Sequence, residues 1–148
     1  MTETKKFLSG STLDSQETID YLQALQFLKN KFQRQKKDDE QLYLKATKDF
    51  NTILTIITEN YAPKRIYQWG SLLDKECFKN YSDIDIAVEG IDSVEKIFLM
   101  YKEIEVATSF PLDCVQFEKI EPEFRDYIVR KGRIVYERTE SAFTRVGI

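Results

Sequence analysis

The chain has 148 residues, 42% of them hydrophobic, and a formal net charge of −3, which is one domain's worth of core and no excess of basic charge for holding nucleic acid over the whole surface. It contains no histidine, so His-ligated zinc, Ser-His triads and a histidine general base are excluded. Cys77 and Cys114 have no metal-like spacing and make no disulfide framework, residues 1–10 lack the apolar segment of a secretory signal, and no apolar run spans a membrane; a cytoplasmic, reduced protein is the expectation.

Met1 to Asp14 is polar and rich in Ser and Thr, as in a mobile leader. Ser15 is placed to cap a helix reaching about Lys37, with Ile19, Leu22, Leu25, Leu28 and Phe32 as its apolar stripe. Its second half carries Lys29, Lys31, Arg34, Lys36 and Lys37. That run reads either as a solvated face or as a patch for a partner protein or an RNA, and the acids Asp38, Asp39 and Glu40 that come next weaken the RNA reading. Asp38 or Asp39 is then expected to cap a second helix to about Glu59, with Leu42, Ala46, Phe50, Ile53, Leu54 and Ile57 on its core face. Asn60 suits its end and Pro63 prevents continuation.

A first strand is predicted over Arg65 to Trp69, where Arg65, Tyr67 and Trp69 alternate with Ile66 and Gln68. Trp69 either lines a ligand site or packs the core and shapes the turn. Gly70 and Ser71 stand at the strand end. A glycine there lets backbone approach a phosphate closely, and a helix opening just after it would aim N–H groups at the anion. After a loop, Asp83 and Asp85 enter a second strand two residues apart, which puts both carboxylates on one face about 7 Å apart. Ile84, Ile86 and Val88 then point into a core, and small Ala87 leaves space beside Asp85. The two Asp residues are either ordinary polar positions on a half-solvated strand or ligands for Mg²⁺ held against a nucleoside triphosphate. Asp is depleted in strands, and Mg²⁺ takes one or two protein carboxylates and completes its shell with phosphate and water.

Downstream, Asp92 and Glu95 form a capping-box-like helix start, and Val94, Ile97, Phe98 and Tyr101 are spaced to pack on the sheet. Leu112 to Phe117 reads as a third strand with Asp113 as its one acid, and Cys114 pointing to the opposite face. Pro122 opens a helix with Phe124, Tyr127, Ile128 and Lys131 on one face, Gly132 caps it, and Arg133 to Tyr136 forms a last strand. The order of elements specifies an α/β (α+β) domain, a mixed sheet packed by helices, with an N-terminal helical extension.

Gly70-Ser71, the gap, Ser82-Asp83-Ile84-Asp85-Ile86-Ala87-Val88 and the later acid Asp113 resemble the pattern of the polymerase β-like nucleotidyltransferase superfamily. The likeness is to its small prokaryotic branch, the minimal nucleotidyltransferases, and covers roughly Leu42 to Tyr136. The resemblance implies that Asp83, Asp85 and Asp113 bind metal, two Mg²⁺ ions, with Asp113 activating the attacking hydroxyl. It also implies that Gly70 and Ser71 hold a triphosphate and that ATP is the donor. Many relatives carry an Arg shortly after the Gly-Ser pair; here Leu72 and Leu73 stand there, and Lys75 is the nearest cation.

The resemblance further implies an antitoxin that adenylylates a tyrosine on a partner HEPN-family RNase toxin, the small chain fitting an acceptor supplied in trans. A small-molecule, antibiotic-type nucleotidyltransferase and a non-catalytic toxin-sequestering or nucleotide-sensing module are the alternatives. The expected organisation is a leader and N-terminal helix over 1–40, the nucleotidyltransferase domain over 41–137 and a C-terminal tail over 138–148. Direct nucleic-acid binding and membrane association are not expected.

Overall fold

The computed structural model describes residues 14–139. The leader before Asp14 and the end of the C-terminal tail therefore lie outside the described residues. The chain divides into two compact units at Asp38/Asp39.

Helix α1 runs Ser15–Tyr61 without a break. The sequence predicts two helices here, with a cap at Asp38 or Asp39, and the structure has one. No Gly or Pro lies between Lys29 and Glu40, and two mid-helix Asp residues cost only tenths of a kcal/mol each in propensity, about 0.7 at most. The start also differs. Asp14, not Ser15, is the cap: its Oδ1 accepts from Glu17 N at 2.7 Å, and its own N–H donates to Glu17 Oε2 at 3.2 Å, a reciprocal capping box. The helix ends where Ala62 turns to φ 46° ahead of Pro63.

In the first unit, the apolar side chains of residues 15–38 are exposed, from 44% for Leu28 to 67% for Phe32. In the second unit a four-stranded sheet has the order β3-β2-β1-β4. Its strands are β1 (Arg65–Trp69), β2 (Ile84–Glu89), β3 (Leu112–Gln116) and β4 (Arg133–Glu137). β1 pairs antiparallel with both β2 and β4, and β2 pairs parallel with β3 through helix α2 (Val94–Glu105). Helix α3 (Pro122–Lys131) precedes β4. This is the mixed sheet that the element order specifies.

Strand alternation divides the sheet into two faces. Ile66, Ile84, Ile86 and Val88 meet Ala46, Phe50, Ile53 and Ile57 of α1 and Ile97, Met100 and Ile104 of α2 in the main core, with Cys114 packed against it. The α2 face matches the expected one only in part: Ile97 is buried and Tyr101 packs against the core, but Val94 and Phe98 are exposed and Met100 and Ile104 are buried. The i, i+3, i+7 set wins because it presents three unbranched or β-branched aliphatics on one line. The α2 cap is Ser93, whose Oγ accepts from Lys96 N at 3.3 Å, while Asp92 pairs with Lys96 Nζ at 3.4 Å. On the opposite face, Tyr67, Ala87 and Ile128 form a smaller core with Trp69, Val115, Phe117, Ile120 and Phe124 around it. Gly132 closes α3 by close approach: a Cβ there would lie 2.6 Å from the carbonyl oxygens of both Gln68 and Ile128.

Candidate active site

The site forms on the face of the smaller core, at the end of the sheet where β1 leaves and β2 and β3 enter. Trp69 is the register partner of Asp85, and Asp85 is that of Asp113 across the parallel pair. The three side chains therefore share one face. Asp83 precedes β2 by one residue and is exposed, as is Asp113, whereas Asp85 is only 8% exposed. The entry of β2 is pinned from two sides. Ile84 N donates to the Pro111 carbonyl at 2.9 Å, tying it to the start of β3. Lys79 N donates to Ser82 Oγ at 2.9 Å, while Phe78 is fully buried, its ring edge-on to Phe110. A loop held this way fixes where Asp83 and Asp85 emerge.

Gly70 stands against Asp85. Its φ of +84° lies in the left-handed region, and a Cβ there would sit 2.0 Å from Asp85 Oδ2. Only glycine allows the backbone turn and the carboxylate to occupy adjacent space. The chain then makes a single 3-10 turn, Ser71–Leu73, rather than a full helix. Any anion here would meet local backbone N–H groups and not the summed dipole of several turns. Leu72 is buried in the main core, which accounts for an apolar residue at that position.

The electrostatics derive from this packing. Burial pushes the Asp85 carboxyl up to about 7, reinforced by the nearby charges of Asp113 and then Asp83. None of the ion pairs among the described residues gives Asp85 a cationic partner. Lys75, the cation closest in sequence to the Gly-Ser pair, lies 3.6 Å from Glu40 and is half exposed. Lys79 Nζ is held 3.3 Å from Asp39, a buried carboxylate on α1. Sequence reasoning missed this pair, since nothing local links residues forty positions apart. It also could not foresee that the indole N–H of Trp69 is buried without a hydrogen-bond partner, its ring edge-on to Phe124 at 5.1 Å between centroids.

No three His, Cys, Asp or Glu side chains among the described residues form a ready metal cage. The donor set nevertheless suits Mg²⁺, which needs only one or two carboxylates when phosphate and water supply the rest. A carboxyl driven toward neutrality by burial, and further by two neighbouring acids, is what a cation would relieve. None of the described helices is long and apolar enough to cross a membrane.

A glycine turn abutting an acidic strand pair, on a mixed sheet backed by helices, defines the class of polymerase β-like nucleotidyltransferase folds. Residues 51–141 match the family described as polymerase beta nucleotidyltransferase, and the chain belongs to that family. Among solved structures, a mutant form of the MntA–HepT toxin–antitoxin complex is similar at 19% identity, covering 62% of this chain and 75% of that one with a TM-score of 0.50. A toxin–antitoxin structure with AMP-PNP is similar at 20% identity, covering 61% and 75%, TM-score 0.49. The Shewanella oneidensis complex of a tri-AMPylated HEPN toxin with its MNT antitoxin is similar at 20% identity, covering 67% and 78%, TM-score 0.48. No curated protein matches the chain by sequence.

Proposed function

We propose that the chain is a metal-dependent nucleotidyltransferase that moves AMP from ATP onto a tyrosine hydroxyl of a HEPN-family RNase toxin, and so acts as its antitoxin. Membership of the nucleotidyltransferase family supplies the reaction class. One observation carries the catalytic reading: Asp85 is buried between the Gly70 turn and Asp113, with its carboxyl raised to about 7 by burial and then by the charges of Asp113 and Asp83. The toxin context comes from the MntA–HepT relative, a toxin–antitoxin complex. In this reading the catalytic domain spans 41–137, preceded by a leader and helix and followed by a tail.

Asp83 and Asp85 would hold Mg²⁺, with Asp113 completing the set. Bound there, the cation would neutralise the phosphates and lower the pKa of the acceptor hydroxyl. The backbone at Gly70 and Ser71 takes the triphosphate. Lys75, the cation nearest in sequence to that pair, would assist it after leaving Glu40. The acceptor oxygen attacks the α-phosphorus in line, the bond to the β-phosphate oxygen breaks, and pyrophosphate leaves. With no histidine in the chain, Asp113 takes the hydroxyl proton; it is exposed on the β3 edge of the site.

The test is transfer of label from ATP to a co-purified helical partner toxin, read by intact mass. One AMP per modified tyrosine is expected, and Asp83→Asn with Asp85→Asn should abolish it while the complex persists. If that double variant still neutralises the toxin, the chain acts by sequestration and the enzymatic reading fails.

A further inference from the structure

The first unit carries a feature that the catalytic reading does not use. Over residues 15–38 of α1, seven large apolar side chains are exposed: Ile19, Tyr21, Leu22, Leu25, Phe27, Leu28 and Phe32. Four of them, Tyr21, Leu25, Leu28 and Phe32, have a strict 4-3-4 spacing. That is the a/d seam of a coiled coil, with Leu22 beside it. The seam reads the same in both directions. Turned end for end about the point midway between Leu25 and Leu28, Leu25 faces Leu28 of a second copy and Tyr21 faces Phe32. Every a position meets a d position.

The charges have the matching polarity. Glu17 and Asp20 occupy the start of the segment, and Lys29, Lys31, Arg34, Lys36 and Lys37 its end, where Asp38 is the one acid. None of those five cations is in an ion pair among the described residues. A parallel pair would set the five cations beside five more. An antiparallel pair brings each acidic start alongside a basic end. The five seam residues expose roughly 500 Å² of apolar surface per chain, so pairing two copies removes at most about 1,000 Å² from water, the threshold of a specific interface.

We infer that residues 15–38 of α1 form an antiparallel, two-fold symmetric helix seam with a second copy of this chain. The closed symmetry comes from the self-complementary patch, since the same surface serves on both copies. This inference is independent of the catalytic reading, because it uses no residue of the acidic site.

Sedimentation equilibrium of the full chain, from about 1 to 100 μM, tests it by the concentration dependence of mass. A monomer–dimer equilibrium is expected. Leu25→Glu with Leu28→Glu should give a monomer whose near-ultraviolet circular dichroism is unchanged, because both side chains are already exposed. Glu17→Lys with Asp20→Lys should weaken the dimer by at least about tenfold. Adding Lys31→Glu, Arg34→Glu, Lys36→Glu and Lys37→Glu to that variant should restore it, since reversing both ends re-creates complementarity only in the antiparallel arrangement. A monomer at the highest concentration would overturn the inference, as would a dimer indifferent to the Leu25 and Leu28 changes. Loss of binding to a different protein, with the chain itself monomeric throughout, would assign the seam to that partner and equally overturn it.

Discussion

Asp85→Asn should stabilise the free protein at neutral and alkaline pH and lose that advantage in acid. In the folded chain the Asp85 carboxyl lies near 7, raised from an ordinary 3.8 by burial and then by Asp113 and Asp83. In the unfolded chain it titrates near 4. Between these values the native state binds more protons than the unfolded state, so stability falls as pH rises. The contribution is fully present below about pH 4 and lost on passing pH 7. At about 1.4 kcal/mol for each tenfold change in proton affinity, the full difference is about 4 kcal/mol. Relaxation around the buried charge reduces it, and roughly 2–4 kcal/mol is the range to be expected. Asn removes the charge with little change in volume, so the variant should gain that amount over wild type at pH 8 and match it near pH 4. Urea denaturation of both proteins with chelator present, across that pH range, measures this directly. Mg²⁺ with ATP should then narrow the gap by stabilising wild type alone. Equal stabilities at pH 8, or a difference that does not change with pH, would refute the claim that Asp85 is a buried carboxylate destabilised by its surroundings.

Gly70→Ala should destabilise the fold by at least about 2 kcal/mol and weaken nucleotide binding, because the left-handed φ resists a side chain and the new Cβ collides with Asp85; melting curves and an ATP titration report both. Asp113→Asn should leave ATP affinity largely intact and slow single-turnover transfer at least about a hundredfold, the lower range for a positioned base; near-normal transfer would reduce it to a strand-end polar residue. Trp69 is the only tryptophan and adjoins the Gly70 turn, so its fluorescence should respond to ATP with Mg²⁺ and much less with chelator, since the acids otherwise repel triphosphate. Ile53→Ala removes a fully buried side chain from the main core and should cost about 2–5 kcal/mol in urea denaturation.

The sequence by itself determined the sheet and the residues at its mouth. Alternation in Ile84 to Val88 and in Arg65 to Trp69 fixes which side chains share a face, because a strand has only two. The Gly70-Ser71 turn and the three Asp positions are likewise legible, since backbone chemistry and period-two spacing act locally. Only the tertiary structure decided how these acids differ. Asp85 is buried and Asp83 and Asp113 are exposed because the register sets Asp85 between Trp69 and Asp113. The register between strands separated by a loop or a helix is invisible to local pattern. The same holds for Lys79, which is engaged by Asp39 forty residues earlier, and for α2, whose buried line is chosen by what the sheet offers it. In α1 the stripe of residues 21–32 and that of 42–57 look alike in sequence. One is exposed and the other forms the core, because burial is a property of what packs against a face, and periodicity records only that the face exists.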